Sequence, residues 1–158
     1  LDPADLQGLF QLGRLLVEAG RAEESLTALE RYVQERPEDA AAQKLLGDGY
    51  RMLERYDRSL EAYEAALTQK KDLAEARFYS ALIYLTRIED PQAGLAALQQ
   101  ALEDGFDDSS AIAELYDSPG LLEKEKVREL LVARSLLPRR GYSPVSPDTG
   151  LPQPSPQP

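Results

Sequence analysis

Ser25-Leu-Thr-Ala-Leu-Glu-Arg-Tyr-Val33, Ser59-Leu-Glu-Ala-Tyr-Glu-Ala-Ala-Leu67 and Gly94-Leu-Ala-Ala-Leu-Gln-Gln-Ala-Leu102 are variants of one segment. The second follows the first by 34 residues and the third follows the second by 35. Working upstream, Leu12-Gly13 recurs as Leu46-Gly47 and in weaker form as Ser80-Ala81, and Leu16, Tyr50 and Tyr84 repeat in the same register. Within each unit the apolar residues fall at the i, i+3/i+4, i+7 spacing of a buried helical stripe. The period therefore marks a helical repeat, each unit carrying stripes of this kind. The single extra residue of the third unit is expected near Glu89-Asp90-Pro91, between its two helices.

The pattern resembles the tetratricopeptide repeat, whose signature W-x₂-L-G-x₂-Y…A-x₃-F…P has the same period. The first unit carries Leu9, Leu12-Gly13, Leu16, Gly20, Ser25, Leu29, Tyr32 and Pro37. The second carries Gln43, Leu46-Gly47, Tyr50, Ser59, Tyr63 and Ala66, with Lys71 where the family prefers Pro. The third carries Arg77, Ser80-Ala81, Tyr84, Gly94, Leu98 and Ala101. None has the family's Trp. The resemblance implies an all-α, right-handed α-solenoid of antiparallel helix pairs, with repeats over about 5–38, 39–72 and 73–106. Small residues at 13, 47 and 81 are expected where the two helices of a pair meet, opposite Ser25, Ser59 and Gly94, because a bare backbone permits close approach.

Helices are expected over about 4–19, 22–36, 39–53, 56–69, 73–87 and 91–104. Asp2-Pro3, Pro37-Glu-Asp39 and Asp90-Pro91 supply start signals, with acids suited to the helix dipole. A solenoid needs its last apolar face covered, and residues 107–137 read as that cap: a short helix near 109–116 and a longer one near 119–136, started by Ser118-Pro119. The tail 138–158 differs in kind. It holds seven of the 11 prolines and a charge of +1, against −11 for residues 1–137. Too poor in large apolar residues to form a core, it is expected to be extended and Pro-rich.

Composition narrows function by exclusion. The 158 residues contain no Cys and no His, so thiol nucleophiles, His acid–base catalysis and ordinary zinc sites are out of reach. A net charge of −10 argues against nucleic acid as a partner. No apolar run approaches the ~18 residues of a membrane span, so direct membrane insertion is not expected. The sequence assigns no compartment; beginning at Leu1 rather than Met, it reads as a trimmed or partial chain, which leaves cytoplasmic and exported locations open. Glu103-Asp104 with Asp107-Asp108 invites comparison with a calcium loop. Phe106 falls at a ligand position and Ser109 where such a loop needs Gly, so Asp107 and Asp108 read better as helix-start acids. No cofactor, no metal and no catalytic residue is expected.

What the resemblance implies is a scaffold or adaptor, non-enzymatic, that binds an extended or helical segment of another protein in a groove lined by the first helix of each pair. Carried onto this chain, the groove positions are Gln7, Phe10, Arg14 and Val17; Ala41, Lys44, Asp48 and Arg51; and Glu75, Phe78, Leu82 and Leu85. The first half is expected to be locally basic and mixed, open to an acidic partner, with Arg14, Lys44 and Arg51 exposed. The second half is expected to be apolar, unless Phe78, Leu82 and Leu85 pack on the cap. The family's carboxylate clamp for chaperone tails needs Asn, and the chain contains none. A second expectation is self-association through the solenoid ends or through the tail, which reaches up to ~65 Å as a polyproline helix and has Tyr142 and Leu151 as anchors.

Overall fold

The computed structural model describes residues 2–137. Eight α-helices are formed among them: α1 (Pro3–Glu18), α2 (Ala22–Glu35), α3 (Ala40–Met52), α4 (Tyr56–Gln69), α5 (Ala74–Ile83), α6 (Pro91–Glu103), α7 (Ser109–Asp117) and α8 (Lys124–Ala133). They pair antiparallel in chain order, and α2 packs on α3 and α4 on α5 to join the pairs. None is long and apolar enough to cross a membrane. The starts follow the sequence signals: Asp2 accepts from the Ala4 N–H, Asp39 from Ala41 and Ala42, and Asp90 from Ala93. Each cap satisfies amide donors that have no partner within the helix.

Small residues hold each pair together: Gly47 meets Ser59 as expected, and Gly13 and Gly47 also meet the large residue of the second helix. A Cβ on Gly13 would lie 2.5 Å from the Leu29 side chain, and one on Gly47 would lie 2.6 Å from the Tyr63 ring. Leu29, Tyr63 and their third-repeat counterpart Leu98 are fully buried. The large residue of the second helix thus fills the space that the missing side chain leaves. Ser59 sits beside this contact, its hydroxyl donating to the Gly47 carbonyl at 2.8 Å.

The extra residue of the third repeat lies inside a helix rather than in the following turn. α1 closes with Gly20 at positive φ and the Arg21 N–H donating to the Leu16 carbonyl. α3 closes the same way, with Glu54 at φ 57° and Arg55 donating to Tyr50. This is the Schellman arrangement, a six-residue closure around one left-handed position. In the third repeat the left-handed residue is Glu89, and Asp90 donates to Tyr84, one residue further back. The segment Tyr84–Ile88 widens into a π-turn that absorbs the insertion, the usual way a helix accommodates one added residue.

The cap differs from expectation at one point. Ser118-Pro119 does not start α8. Ser118 ends α7, its hydroxyl donating to the Glu114 carbonyl at 2.7 Å. Gly120 then turns at φ 84°, the Leu122 N–H reaches the Leu85 carbonyl at 3.0 Å, and α8 begins only at Lys124. α7 and α8 bury Ala111, Ile112, Leu115, Val127 and Leu131 against α5 and α6. The tail 138–158, with Tyr142 and Leu151, lies outside the described residues.

Candidate functional site

The first helix of each pair brings five of the expected groove residues together. Val17 from α1, Lys44, Asp48 and Arg51 from α3, and Glu75 from α5 line one cavity of about 230 Å³. Met52, Tyr79, Phe106 and Asp108 complete its wall. Spacing explains the α3 contribution: positions 44, 48 and 51 share a helix face.

The cavity is built on a charge network centred on the buried Asp48. Lys44 lies between two carboxylates, 3.0 Å from Asp48 and in contact with Glu75. Asp48 is 6% exposed and accepts a 2.7 Å hydrogen bond from the Tyr63 hydroxyl. Burial alone would lower the Lys44 pKa, but Asp48 and Glu75 outweigh it and hold the ammonium above its usual range. Burial, then the Asp48 charge, pushes the Tyr63 phenol well above 10. Arg51 lays its guanidinium over the Tyr79 ring, 4.1 Å from the centroid, a cation–π contact in a partly desolvated place.

The mixed character expected of the first half is there, but its cations are less exposed than expected. Arg14 pairs with Glu18 at 2.7 Å and with Gln11, Lys44 is clamped, and Arg51 is partly buried on Tyr79. Arg14 stays accessible in a surface pair, whereas Lys44 and Arg51 are only partly accessible. The apolar half is corrected more sharply. Phe78 and Leu85 are fully buried and Leu82 is nearly so, all in the core that the cap helices complete. Phe78 stacks on Phe106 at 4.0 Å between centroids, with the rings 11° from parallel. These three residues are core, because α7 and α8 close over the side of α5 that an open groove needs. Phe10 packs on Tyr32 at 5.3 Å, and Gln7 and Ala41 are exposed away from the cavity wall.

Met52, Tyr79, Phe106 and Asp108 are the wall residues that the sequence reading missed. Phe106 did carry a signal. Asp104-Gly105-Phe106 ends α6 in a Schellman motif, with Gly105 at φ 91° and Phe106 donating to the Ala101 carbonyl, and the residue after such a glycine is often apolar and packed. Asp108 caps α7, accepting from Ser110 and Ala111, and Asp104 pairs with Arg77 at 2.8 Å. A larger depression of about 460 Å³ is lined only by α3 and α4 residues, Gln43, Leu46, Tyr50, Arg58, Glu61 and Ala62, and gathers none of the expected groove set.

The tetratricopeptide repeat profile matches residues 10–74 and 50–111, more than half of the chain. The chain belongs to the tetratricopeptide repeat family. No curated protein matches it. Among solved structures, the crystal structure of MamA superposes with a TM-score of 0.69 at 18% identity, covering 85% of this chain and 78% of that one. At that identity the likeness is one of fold. Tetratricopeptide-repeat domains are typically non-enzymatic modules for protein–protein interaction, and the cavity between α1, α3 and α5 lies on the helices that line the binding groove in this family.

The tyrosines of this repeat domain make it sensitive to alkali. Burial raises Tyr63 and Tyr79 above 10. A raised folded pKa contributes stability that is complete below the unfolded value of about 10 and is lost as pH rises through the folded value. Above about pH 10 the unfolded chain releases protons that the native state retains, so each retained proton costs about 1.4 kcal/mol per pH unit. Urea unfolding at successive pH values is expected to show stability falling from about pH 10 upward, with a shallower fall in Tyr63→Phe. An unchanged slope in that variant contradicts the assignment.

Proposed function

We propose that this chain is a scaffold or adaptor that takes an extended or helical segment of a partner protein into the cavity between α1, α3 and α5. The observation that carries the reading is the convergence of Val17, Lys44, Asp48, Arg51 and Glu75 from three successive first helices on one cavity. The lining mixes two cations with three carboxylates and presents an aromatic ring beside them. A surface of paired charges selects a segment with both donors and acceptors, such as a peptide backbone with mixed polar side chains, over a strongly acidic one. His and Cys are absent, and the acids of the cavity are tied to Lys44, Tyr63 and the α7 cap. That leaves binding, not turnover, as the role.

The test selects peptides from a displayed library against the full chain, then measures them against Val17→Asp and Glu75→Lys. Glu75 is exposed, whereas Val17 is half-buried against the core of Leu26, Leu29, Leu46 and Tyr50, so circular dichroism and Tm of each variant are measured beside the titration and only a folded variant is scored. Selected peptides are expected to lose about tenfold in affinity, some 1.4 kcal/mol, in each variant. Peptides that bind both variants as well as the parent chain place the binding surface elsewhere. A synthetic 138–158 peptide added as competitor distinguishes the reading in which the chain's own tail occupies the cavity.

A further inference from the structure

The third repeat departs from the other two at two places, and both meet at Leu85. Leu85 stands where Val17 and Arg51 stand in the first two repeats. In those repeats the left-handed residue donates back to that position: Gly20 to the Val17 carbonyl and Glu54 to the Arg51 carbonyl, both at 3.0 Å. In the third repeat the extra residue moves the closure back, so Glu89 and Asp90 both donate to the Tyr84 carbonyl. The Leu85 carbonyl accepts instead from the Leu122 N–H of the cap, at 3.0 Å.

The side chain changes place as well. Val17 and Arg51 line the cavity, whereas Leu85 is fully buried, its Cγ 2.5 Å from a Cβ placed on Gly94 of α6. Gly94 is the second departure, for it stands where the other repeats have the buried Ser25 and Ser59. A serine at 94 would occupy the space that Leu85 fills. In the first two pairs the bare backbone belongs to the first helix, where Gly13 and Gly47 receive Leu29 and Tyr63 from the second. At Gly94 it belongs to the second helix and receives Leu85 from the first. Leu85 thereby joins the core that holds Ile112, Leu115, Val127 and Leu131 of the cap, against which Leu121 and Leu122 also pack.

We propose that the inserted residue and Gly94 act together as the device that ends the repeat array. The widened turn takes Leu85 out of the series that lines the groove and makes it the seat of the cap. Its side chain fills the α5–α6 junction, and its carbonyl holds the turn that leads into α8. Neither feature does this alone. Without Gly94 the turned Leu85 has no room, and without the turn Gly94 faces a gap whose lining loses its contacts. The first-helix residues on the cavity wall accordingly stop at Tyr79, which on the function proposed above bounds the segment a partner lays along this face.

Two changes to the full chain test the coupling. Gly94→Ser is expected to displace Leu85 and to raise hydrogen exchange about tenfold at the Leu122 amide and through α7 and α8, with α1–α4 unchanged. Deleting Ile88, an exposed residue of the widened turn, restores the 34-residue period. Leu85 then leaves Gly94, so Gly94→Ser on that background is expected to shift the unfolding equilibrium at least ~10-fold less than in the parent, as coupled sites do. An equal shift on both backgrounds overturns the proposal. So does exchange in Gly94→Ser that rises in α5 and α6 while Leu122 and the cap stay protected, and this arm decides by itself if the deleted chain does not fold. Neither readout involves a peptide, so failure here leaves the proposed binding cavity standing.

Discussion

Gly47→Val is expected to cost about 2–5 kcal/mol, a large share of the ~5–15 kcal/mol by which a domain stays folded. A Cβ at this position lies 2.6 Å from two atoms of the Tyr63 ring. The ring cannot swing aside, because Tyr63 is fully buried and its hydroxyl is tied to Asp48 at 2.7 Å. Relief therefore means separating α3 from α4 or breaking that hydrogen bond. The second course leaves a buried carboxylate short of a donor, at about 1–3 kcal/mol. Helix propensity works in the opposite direction, since Gly is about 1 kcal/mol worse than Ala inside a helix. Gly8→Ala isolates that term: Gly8 is helical with open space around it, and its replacement is expected to raise stability by up to ~1 kcal/mol. Chemical denaturation of the two variants beside the parent checks both signs. A Gly47→Val domain with parent-like stability would show that the packing seen between α3 and α4 does not hold the repeat together.

The repeats were legible because packing demands recur at fixed intervals. Each stack needs a small residue at 13, 47 and 81 and a large one at 29, 63 and 98, and a chain that meets the demand three times displays its period. Helix starts were legible for a local reason: Asp2, Asp39 and Asp90 act on amides two or three residues away. The parts that were not legible depend on which neighbour arrives. Phe78, Leu82 and Leu85 share one helix face whether that face meets solvent or a cap, and only the closure of α7 and α8 over it decides. Ser118-Pro119 has the local form of a helix start, yet Gly120 and the Leu122–Leu85 hydrogen bond turn the chain first. The inserted residue was visible as a count of 35. Its place was not, since a widened turn at Tyr84–Ile88 and a longer loop at 89–91 give the same spacing. Lys44, Asp48, Arg51 and Glu75 were found as a set, but Lys44 and Arg51 were read as exposed because sequence spacing does not show Glu75 reaching Lys44 or Tyr79 lying under Arg51.

Phe106→Ala is expected to cost about 3–5 kcal/mol, the range for removing a large buried aromatic side chain. The loss should be uneven along the chain. Phe106 joins the third repeat to the cap: it stacks on Phe78 of α5 and shares a core with Ile112, Leu115, Val127 and Leu131. In a solenoid, each unit is stabilised chiefly by its neighbours, so weakening one junction loosens what lies beyond it more than what lies before it. Hydrogen exchange is therefore expected to rise most in α7 and α8, with α1–α4 retaining protection, and a uniform rise along the chain would contradict a separable cap. The same side chain also lines the candidate binding cavity, so the substitution couples stability to function. If the cap detaches, Phe78, Leu82 and Leu85 become the open apolar surface that their shared helix face suggests. Peptides selected for the cavity should then lose affinity while apolar segments gain it. Phe106 thus sets whether this face of α5 serves as core or as binding surface.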